Sequence, residues 1–144
     1  MQLQKLSAGR GALTAVRTGE GRDLVLLHSL LADRFAFDPV LPKLAAKHRV
    51  TLFNLPGFHG SQPAMLALMD AYVAVIEDGF DEFGIAKDAV LIGNGFGGTV
   101  ALAFALACAR RLDSQNARAG PTLDGSARFS GARRQVLSPA LAGA

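Results

Sequence analysis

Residues 89–98 of this chain spell Ala-Val-Leu-Ile-Gly-Asn-Gly-Phe-Gly-Gly, and they decide its fold class. The four apolar residues Ala89–Ile92 predict a short strand that is buried on both faces. The closely spaced glycines predict a tight turn, because glycine adopts backbone angles that other residues avoid. Residues 99–111 are rich in strong helix formers and end in two arginines, which complement the dipole at the end of a helix. The stretch therefore predicts a buried strand, a sharp turn and a helix in direct succession.

The glycines match two different motifs, of which the first is the dinucleotide fingerprint G-x-G-x-x-G. Gly93, Gly95 and Gly98 have that spacing, which lets a backbone approach a pyrophosphate at the start of a helix. The fingerprint normally follows the first strand of its domain and needs an acidic residue at the end of a second strand about twenty residues later. Asp113 lies at that distance, but residues 107–113 predict the end of a helix. A dinucleotide-binding protein is therefore an alternative and not the main prediction.

The second motif is the nucleophile elbow, G-x-nucleophile-x-G, in which a reactive side chain projects from the sharp turn between a strand and a helix. Gly93 and Gly97 are its two outer small residues, which the turn requires because larger side chains would clash there. Gly95 stands at the position of the nucleophile. The residue pattern thus predicts the backbone of the elbow without its reactive side chain.

The rest of residues 1–111 predicts further strands and helices in alternation. The predicted elements are a hairpin formed by Leu13–Arg17 and Leu24–Leu27, a short helix started by Asp38-Pro39 and ending near Lys47, a strand over Arg49–Leu55, and a helix over Asp70–Phe83 capped by Gly84. Connections of this length allow parallel pairing, so the order predicts one mostly parallel sheet that is covered by helices. We therefore predict an α/β fold, with an N-terminal hairpin followed by βαβαβα.

Composition and charge exclude several classes of protein. The 144 residues are 50% hydrophobic with a mean hydropathy of +0.27, which is typical of a folded domain. Residues 1–108 carry nine basic against ten acidic side chains, whereas residues 109–144 carry six against two. The basic balance is therefore a property of the tail, and no nucleic-acid partner is predicted. Cys108 is the one cysteine, which excludes an internal disulfide, and with three histidines it does not predict a metal site.

An uncharged run over residues 89–109 is long enough to span a bilayer. Its centre holds the glycine-rich turn and the polar Asn94, so we interpret it as a buried strand followed by a buried helix and predict no membrane partner. The first residues lack the charged and apolar regions of a signal peptide, which predicts a cytoplasmic location.

The sequence changes character after about Ala109. Of the 36 residues 109–144, 24 are Ala, Gly, Ser, Arg or Pro, and the large apolar residues follow no strand or helix period. We predict a truncated domain over residues 1–111 and an irregular, disordered or frameshift-derived tail over residues 112–144. The last predicted strand, Ala89–Ile92, would then keep an unpaired edge through which copies of the chain associate.

Three segments together resemble the α/β-hydrolase family, over about residues 13–111. Members carry an apolar strand that ends in His-Gly, and here Leu24–Leu27 is followed by His28-Ser29. They carry a second strand that ends in Asp-x-Pro-Gly-x-Gly-x-Ser, to which residues 54–61, Asn-Leu-Pro-Gly-Phe-His-Gly-Ser, are similar. The glycine-rich turn after the third strand is similar to their nucleophile elbow. The resemblance implies the incomplete, N-terminal half of an α/β-hydrolase fold.

The resemblance also implies an activity, the hydrolysis of small carboxylic esters or lactones without a cofactor, as in esterase- and enol-lactonase-like members. It implies an oxyanion hole made by the backbone N–H groups of Phe96 and Leu30. The pocket-lining residues that it implies are His28, Ser29, Asn94 and His59. The partner that it implies is a small-molecule ester or lactone.

The catalytic residues themselves are missing. Gly95 has no side chain to form an acyl-enzyme, and members of the family supply their acid and histidine from strands later in the chain. Residues 112–144 contain no histidine. We therefore predict a catalytically impaired or inactive hydrolase. The alternatives are a non-catalytic small-molecule binding module, which is a pseudoenzyme, and the dinucleotide-binding protein.

Overall fold

The central feature of the protein is one mixed sheet, seen in a computed structural model that describes residues 3–8, 13–30, 32, 34–58, 61, 69–119 and 136–137. The strands described are β1 (Gln4–Ala8), β2 (Leu13–Thr18), β3 (Arg22–Leu27), β4 (His48–Asn54), β5 (Val90–Gly93) and β6 (Val136–Leu137). They lie in the order β1-β2-β4-β3-β5-β6. The α-helices described with them are α1 (Leu41–Ala45), α2 (Met69–Glu82) and α3 (Phe96–Ala119).

The centre of the sheet is parallel, which confirms the predicted α/β class. β3 pairs in parallel with β4 along its whole length and with β5 over residues 24–27. The apolar run Leu24–Leu27 is buried because strands cover both of its edges and apolar clusters cover both of its faces. The carboxyl ends of β3, β4 and β5 therefore meet at one end of the sheet, and the glycine-rich turn follows β5 there.

The N-terminal hairpin exists, but the hairpin partner of β2 is β1 and not the predicted strand β3. β1 and β2 form it, with antiparallel pairing of residues 4–8 to residues 13–17. The predicted hairpin between residues 13–17 and 24–27 is wrong, because β2 pairs antiparallel with β4 instead. Both edges of β3 are occupied by parallel partners, so the turn after β2 leads into the sheet without closing a hairpin.

Two apolar clusters hold the helices against the sheet. Strand residues alternate between the two faces, so Val25 and Leu27 belong to one cluster and Leu24 and Leu26 to the other. The larger cluster joins β2, β3, β4 and β5 to α2 and α3. The smaller cluster joins β3 and β4 to α1 and to a 3₁₀ turn over Arg34–Phe37. The larger cluster thus sets the position of α3, and with it the turn that precedes α3.

The two longer helices agree with the prediction, with a difference at their ends. α2 is confirmed, and Gly84 follows it with a φ of +60°, the left-handed conformation of a helix C-cap. α3 is longer than the predicted range 99–111, since it begins at Phe96 and continues to Ala119. The additional residues at its start, Phe96, Gly97 and Gly98, belong to the predicted glycine-rich turn.

The first helix begins later than predicted. The start of α1 at Asp38-Pro39 is wrong, because residues 34–37 form the 3₁₀ turn and the Asp38 N–H donates to Phe35 O at 3.0 Å. α1 begins at Leu41, and no side-chain hydrogen bond caps it. Pro42 lies in its first turn, where the missing N–H of proline removes no helical hydrogen bond.

β6 corrects the prediction that no strand follows α3. Val136 and Leu137 pair in parallel with Leu91 and Ile92 of β5. The outer edge of β5 is therefore covered along these two residues, and association of copies through that edge stays a prediction. Residues 120–135 and 138–144 lie outside the described residues, so the boundary at residue 111 and the irregular or frameshift-derived tail also stay predictions.

The uncharged run over residues 89–109 divides into β5, the glycine-rich turn and the first part of α3. Leu91, Val100 and Phe104 within it are fully buried in the larger cluster. Among the described residues, no helix is long and apolar enough to cross a membrane. The interpretation of this run as a strand followed by a helix is therefore confirmed, but α3 is buried on one face only, since Leu102 and Leu106 are 55% and 50% exposed.

Candidate active site

The turn between β5 and α3 has the shape that a nucleophile elbow requires. β5 ends at Gly93 and α3 begins at Phe96, so two residues, Asn94 and Gly95, connect them. The Asn94 N–H donates to Leu27 O at 3.0 Å, which ties the turn to the end of β3. Gly95 is exposed and has a φ of +54°, a backbone conformation that favours glycine. The chain thus passes from strand to helix within two residues, with residue 95 at the tip.

The two outer glycines of the turn are required by its tight packing. A Cβ atom on Gly93 would overlap the backbone of Gly97 and Gly98. A Cβ atom on Gly97 would overlap Leu27 O and would lie 2.6 Å from His28 O. These neighbours are backbone atoms, which cannot rotate away. The close packing of the elbow against β3 therefore demands glycine at both positions, as the motif predicts.

The tip of the elbow faces the loop that follows β3. A Cβ atom on Gly95 would lie 2.7 Å from Ser29 Oγ and 3.1 Å from Ser29 Cβ. The structure thus brings two residues of the predicted site into direct contact. Both residues are predicted from the sequence to belong to the site, but their contact is not. The signal for it is a paired departure from the family pattern, with serine in place of glycine at residue 29 and glycine in place of serine at residue 95.

His28 is fully buried, and both of its ring nitrogens are engaged. Nε2 accepts a hydrogen bond from the Leu55 N–H at 3.0 Å, which leaves the proton on Nδ1, 2.8 Å from Ser29 O. The ring also meets the Phe58 ring edge to face, with 4.9 Å between centroids. His28 therefore joins the ends of β3 and β4 and holds the loop at Ser29. Neither nitrogen is available to take a proton from a nucleophile.

A buried polar network holds the end of β4. Asn54 Nδ2 donates to Thr14 Oγ1 at 2.9 Å, and Ser61 Oγ donates to Asn54 O at 2.6 Å. The Thr14 N–H donates in turn to Ser61 Oγ at 2.9 Å. Asn54 Oδ1 is buried and has no partner among the described residues. The Ser61 hydroxyl therefore links β4 to β2 through these two hydrogen bonds, which is a structural role.

The other predicted site residues differ in their exposure and in their contacts. Phe96 is the first residue of α3, so its N–H has no acceptor within the helix, and its ring packs edge to face on Tyr72 at 5.1 Å. Leu30 is 48% exposed, and Asn94 is exposed. His59 lies outside the described residues. The roles of the Phe96 and Leu30 N–H groups as an oxyanion hole stay predictions.

A cavity of about 910 Å³ lies at the opposite end of the sheet and is not part of this site. Arg17, Glu20 and Arg49 are among the residues that line it. Both arginines are engaged, since Arg17 donates to Thr51 Oγ1 at 3.0 Å and Arg49 donates to Asp23. Across the described part of the chain, no group of three or more His, Cys, Asp or Glu side chains is placed to hold a metal ion. The elbow therefore remains the candidate active site.

A mixed sheet with a parallel centre, in which a strand leads through an elbow into a helix, defines a class of α/β proteins that carry a reactive group at the carboxyl end of the sheet. Comparison with known proteins identifies the family within this class. The family model of the Alpha/beta hydrolase family matches residues 24–144, so the chain belongs to this family. The match includes the segment after residue 111.

Three relatives illustrate the similarity. The pimeloyl-[acyl-carrier protein] methyl ester esterase of Aeromonas hydrophila is 33% identical over 108 residues, which are 72% of this chain and 39% of that protein. Naproxen esterase (carboxylesterase NP) from Bacillus subtilis is 25% identical with a TM-score of 0.67, over 76% of this chain and 40% of that one. An epoxide hydrolase from an endophytic Streptomyces is 22% identical with a TM-score of 0.63, over 73% and 33%, and shares the fold. This chain therefore spans less than half the length of the curated relative.

Replacement of His28 by alanine is expected to destabilise the loop that carries Ser29. The change leaves the buried Leu55 N–H without its acceptor and removes a fully buried ring. We expect the free energy of unfolding to fall by roughly 2 to 3 kcal/mol, measured by urea denaturation with circular dichroism. His48→Ala is the control, because His48 is only partly buried at the start of β4. Equal losses in the two variants would contradict the structural role of His28.

Proposed function

We propose that this chain belongs to an α/β-hydrolase of the type that cleaves small carboxylic esters or lactones, and that it has lost turnover. The observation that carries the proposal is the geometry at residue 95, where an elbow backbone is present and the residue at its tip is glycine. A serine hydrolase forms its acyl-enzyme through an oxygen at this position, and Gly95 offers none. Two of the relatives are esterases, which supports a carboxylic ester as the ligand class.

The described histidines provide no general base beside the elbow. His28 uses Nε2 and Nδ1 in structural hydrogen bonds. His48 begins β4 and therefore lies at the other end of the parallel strands. A site without a nucleophile and a base keeps the contribution of its backbone donors alone, which leaves a small residual rate.

The same geometry supports a second candidate function, which is binding without chemistry. The Phe96 N–H at the start of α3 is a backbone group, so the loss of a side chain at residue 95 does not remove it. The start of a helix also carries partial positive charge, which attracts a carbonyl or carboxylate oxygen. A pseudoenzyme that binds an acyl compound is consistent with these features.

The dinucleotide alternative has less support. The glycines Gly93, Gly95 and Gly98 follow β5, which comes after β3 and β4 in the chain and is not the first strand of the fold. Asp113 lies within α3 and not at the end of a strand. The described residues therefore lack an acid at the place where the fingerprint needs one to bind the ribose.

The purified chain is expected to release p-nitrophenolate from p-nitrophenyl butyrate only slightly faster than the heat-denatured chain does, because only the backbone donors remain. This rate is at least about 10⁴-fold below that of an intact serine esterase, measured by absorbance. Gly95→Ser is expected to stay within about tenfold of the matched variant Gly95→Ala, because a hydroxyl without a base is a poor nucleophile. Steady turnover by the wild-type chain well above the denatured control would overturn the proposed loss of activity.

A further inference from the structure

We propose that a second cavity, between β1, β2, β4 and the 3₁₀ turn, binds a small anion that also carries a hydroxyl group. The cavity has a volume of about 400 Å³, which lies within the range of small-molecule sites. Residues of the three strands line it together with Arg34 of the 3₁₀ turn. No residue of the elbow lines it, so the site is independent of the proposed function.

A row of three polar side chains crosses the strands at this cavity. Ser7 of β1 pairs with Thr14 of β2, and Thr14 pairs with Asn54 of β4, so the three residues lie side by side on one face of the sheet. Leu52, two residues before Asn54, belongs to the smaller apolar cluster, which places the row on the face that α1 covers. All three polar residues line the cavity. The sheet therefore presents hydrogen-bonding groups to a ligand there.

The side chain of Asn54 has one acceptor that the protein does not use. Ser61 Oγ gives its proton to Asn54 O, so Thr14 is the donor in the 3.2 Å contact between Thr14 Oγ1 and Ser61 Oγ. Thr14 Oγ1 can then only accept from Asn54, whose Nδ2 lies at 2.9 Å. Asn54 Oδ1 is buried and has no donor among the described residues. An acceptor of this kind costs folding free energy, which the hydroxyl of a bound molecule would recover.

Two cationic side chains line the same cavity and determine the charge of the ligand. Lys5 and Arg34 form no ion pair with the described residues, and no described Asp or Glu lines the cavity. Arg34 Cζ lies 4.1 Å from the centroid of the Phe35 ring, a cation–π contact that uses no hydrogen bond to oxygen. The guanidinium therefore keeps its N–H donors for the oxygens of a carboxylate or phosphate group. The cavity thus combines donors for an anion with an acceptor for a hydroxyl.

Titrations with lactate and with glycerol 3-phosphate test the anion site, since both probes join an anionic group to a hydroxyl. Binding is expected to shift the nuclear magnetic resonance signals of the Ser7, Thr14 and Arg34 amides, and the tighter probe shows which anionic group is preferred. Arg34→Gln is expected to weaken binding about 10-fold, the effect of one lost charged hydrogen bond. The control is Arg22→Gln, which removes an exposed arginine at the start of β3, far from Asn54 at the end of β4. It should change the affinity less than about twofold.

Propionate and propyl phosphate test the acceptor at Asn54, because they are the same two probes without hydroxyl groups and require no change in the protein. Each is expected to bind about 3- to 10-fold more weakly than its hydroxylated counterpart, the effect of one lost hydrogen bond. Equal affinities within the pairs would overturn the role of Asn54 Oδ1. No saturable shift with either hydroxylated probe, or equal weakening by Arg34→Gln and Arg22→Gln, would overturn the anion site as a whole. The esterase assay decides the proposed function separately.

Discussion

Replacement of Gly97 by alanine is expected to prevent the chain from folding cooperatively. The added Cβ would overlap Leu27 O and lie 2.5 Å from Leu27 C and 2.6 Å from His28 O. These atoms belong to the end of β3, the central strand of the parallel part of the sheet, so α3 would have to move away from the sheet to accommodate the methyl group. We expect a loss of at least about 3 kcal/mol in the free energy of unfolding, a large share of the stability of a small domain.

The experiment compares urea unfolding of Gly97→Ala with that of Gly57→Ala. Gly57 has a φ of +91° and no atom within 4 Å of an added Cβ, so its variant carries backbone strain but no overlap. Because Gly57→Ala bears a strain that Gly97→Ala does not, a larger loss in Gly97→Ala must come from the contact with β3. A Gly97→Ala variant that unfolds as sharply as the wild type, or loses less stability than Gly57→Ala, would show that the elbow is packed more loosely than the structure describes.

The elbow could be predicted from the sequence because its requirements are local. A buried strand, two outer glycines and a helix within about twenty residues leave few other conformations, and a side chain at Gly93 or Gly97 would meet backbone within the same turn or the adjacent strand. The helix over residues 70–83 was predictable for the same reason, since its apolar spacing and Gly84 lie within one segment. Strand pairing, in contrast, joins residues that are distant in the sequence, so a local pattern does not determine it.

The partners of β2 could not be read from the residues that form it. Turn residues after Leu13–Thr18 suggest a hairpin with the next strand, but β3 is already flanked by β4 and β5. The contact between Ser29 and Gly95 was out of reach for a similar reason, because it depends on how α3 packs against the loop after β3. A single sequence identifies the two residues, but their contact is seen only in the structure.

An ion pair between Arg49 and Asp23 holds the amino end of the parallel strands. Its loss is expected to lower the stability of the chain strongly, as Gly97→Ala does. Arg49 Nε donates to Asp23 Oδ1 at 2.6 Å, and the Arg49 Nη2 group donates to Asp23 Oδ2 at 2.7 Å. The Ala86 N–H donates to Asp23 Oδ2 at 2.7 Å. Asp23 is 3% exposed, so its carboxylate depends on these partners for its solvation. One side chain thus joins β3, β4 and the segment that leads into β5.

Stability is expected to fall in acid because of this carboxylate. Burial raises the pKa of Asp23, but the hydrogen bonds from Arg49 and the Ala86 N–H, with the charges of Arg49 and Arg17, outweigh burial and hold the pKa below its ordinary value. Because the pKa is lower in the folded chain than in the unfolded one, the stabilisation is complete above about pH 4. It is lost as the pH falls from there through the pKa of the folded chain.

Asp23→Asn is expected to lower the free energy of unfolding at neutral pH by about 3 kcal/mol, since it leaves Arg49 without its charged partner. The control is Asp88→Asn, which removes an acid 3.8 Å from Arg22 where the two side chains are 58% and 53% exposed. That change should stay within about 0.5 kcal/mol, because water already solvates both charges. Urea unfolding between about pH 3 and pH 7 distinguishes the contributions. Asp23→Asn is expected to lose less stability in acid than the wild type does. An equal loss in the two proteins would show that the acid sensitivity arises from other carboxylates and would contradict the stabilising role of the Asp23–Arg49 pair.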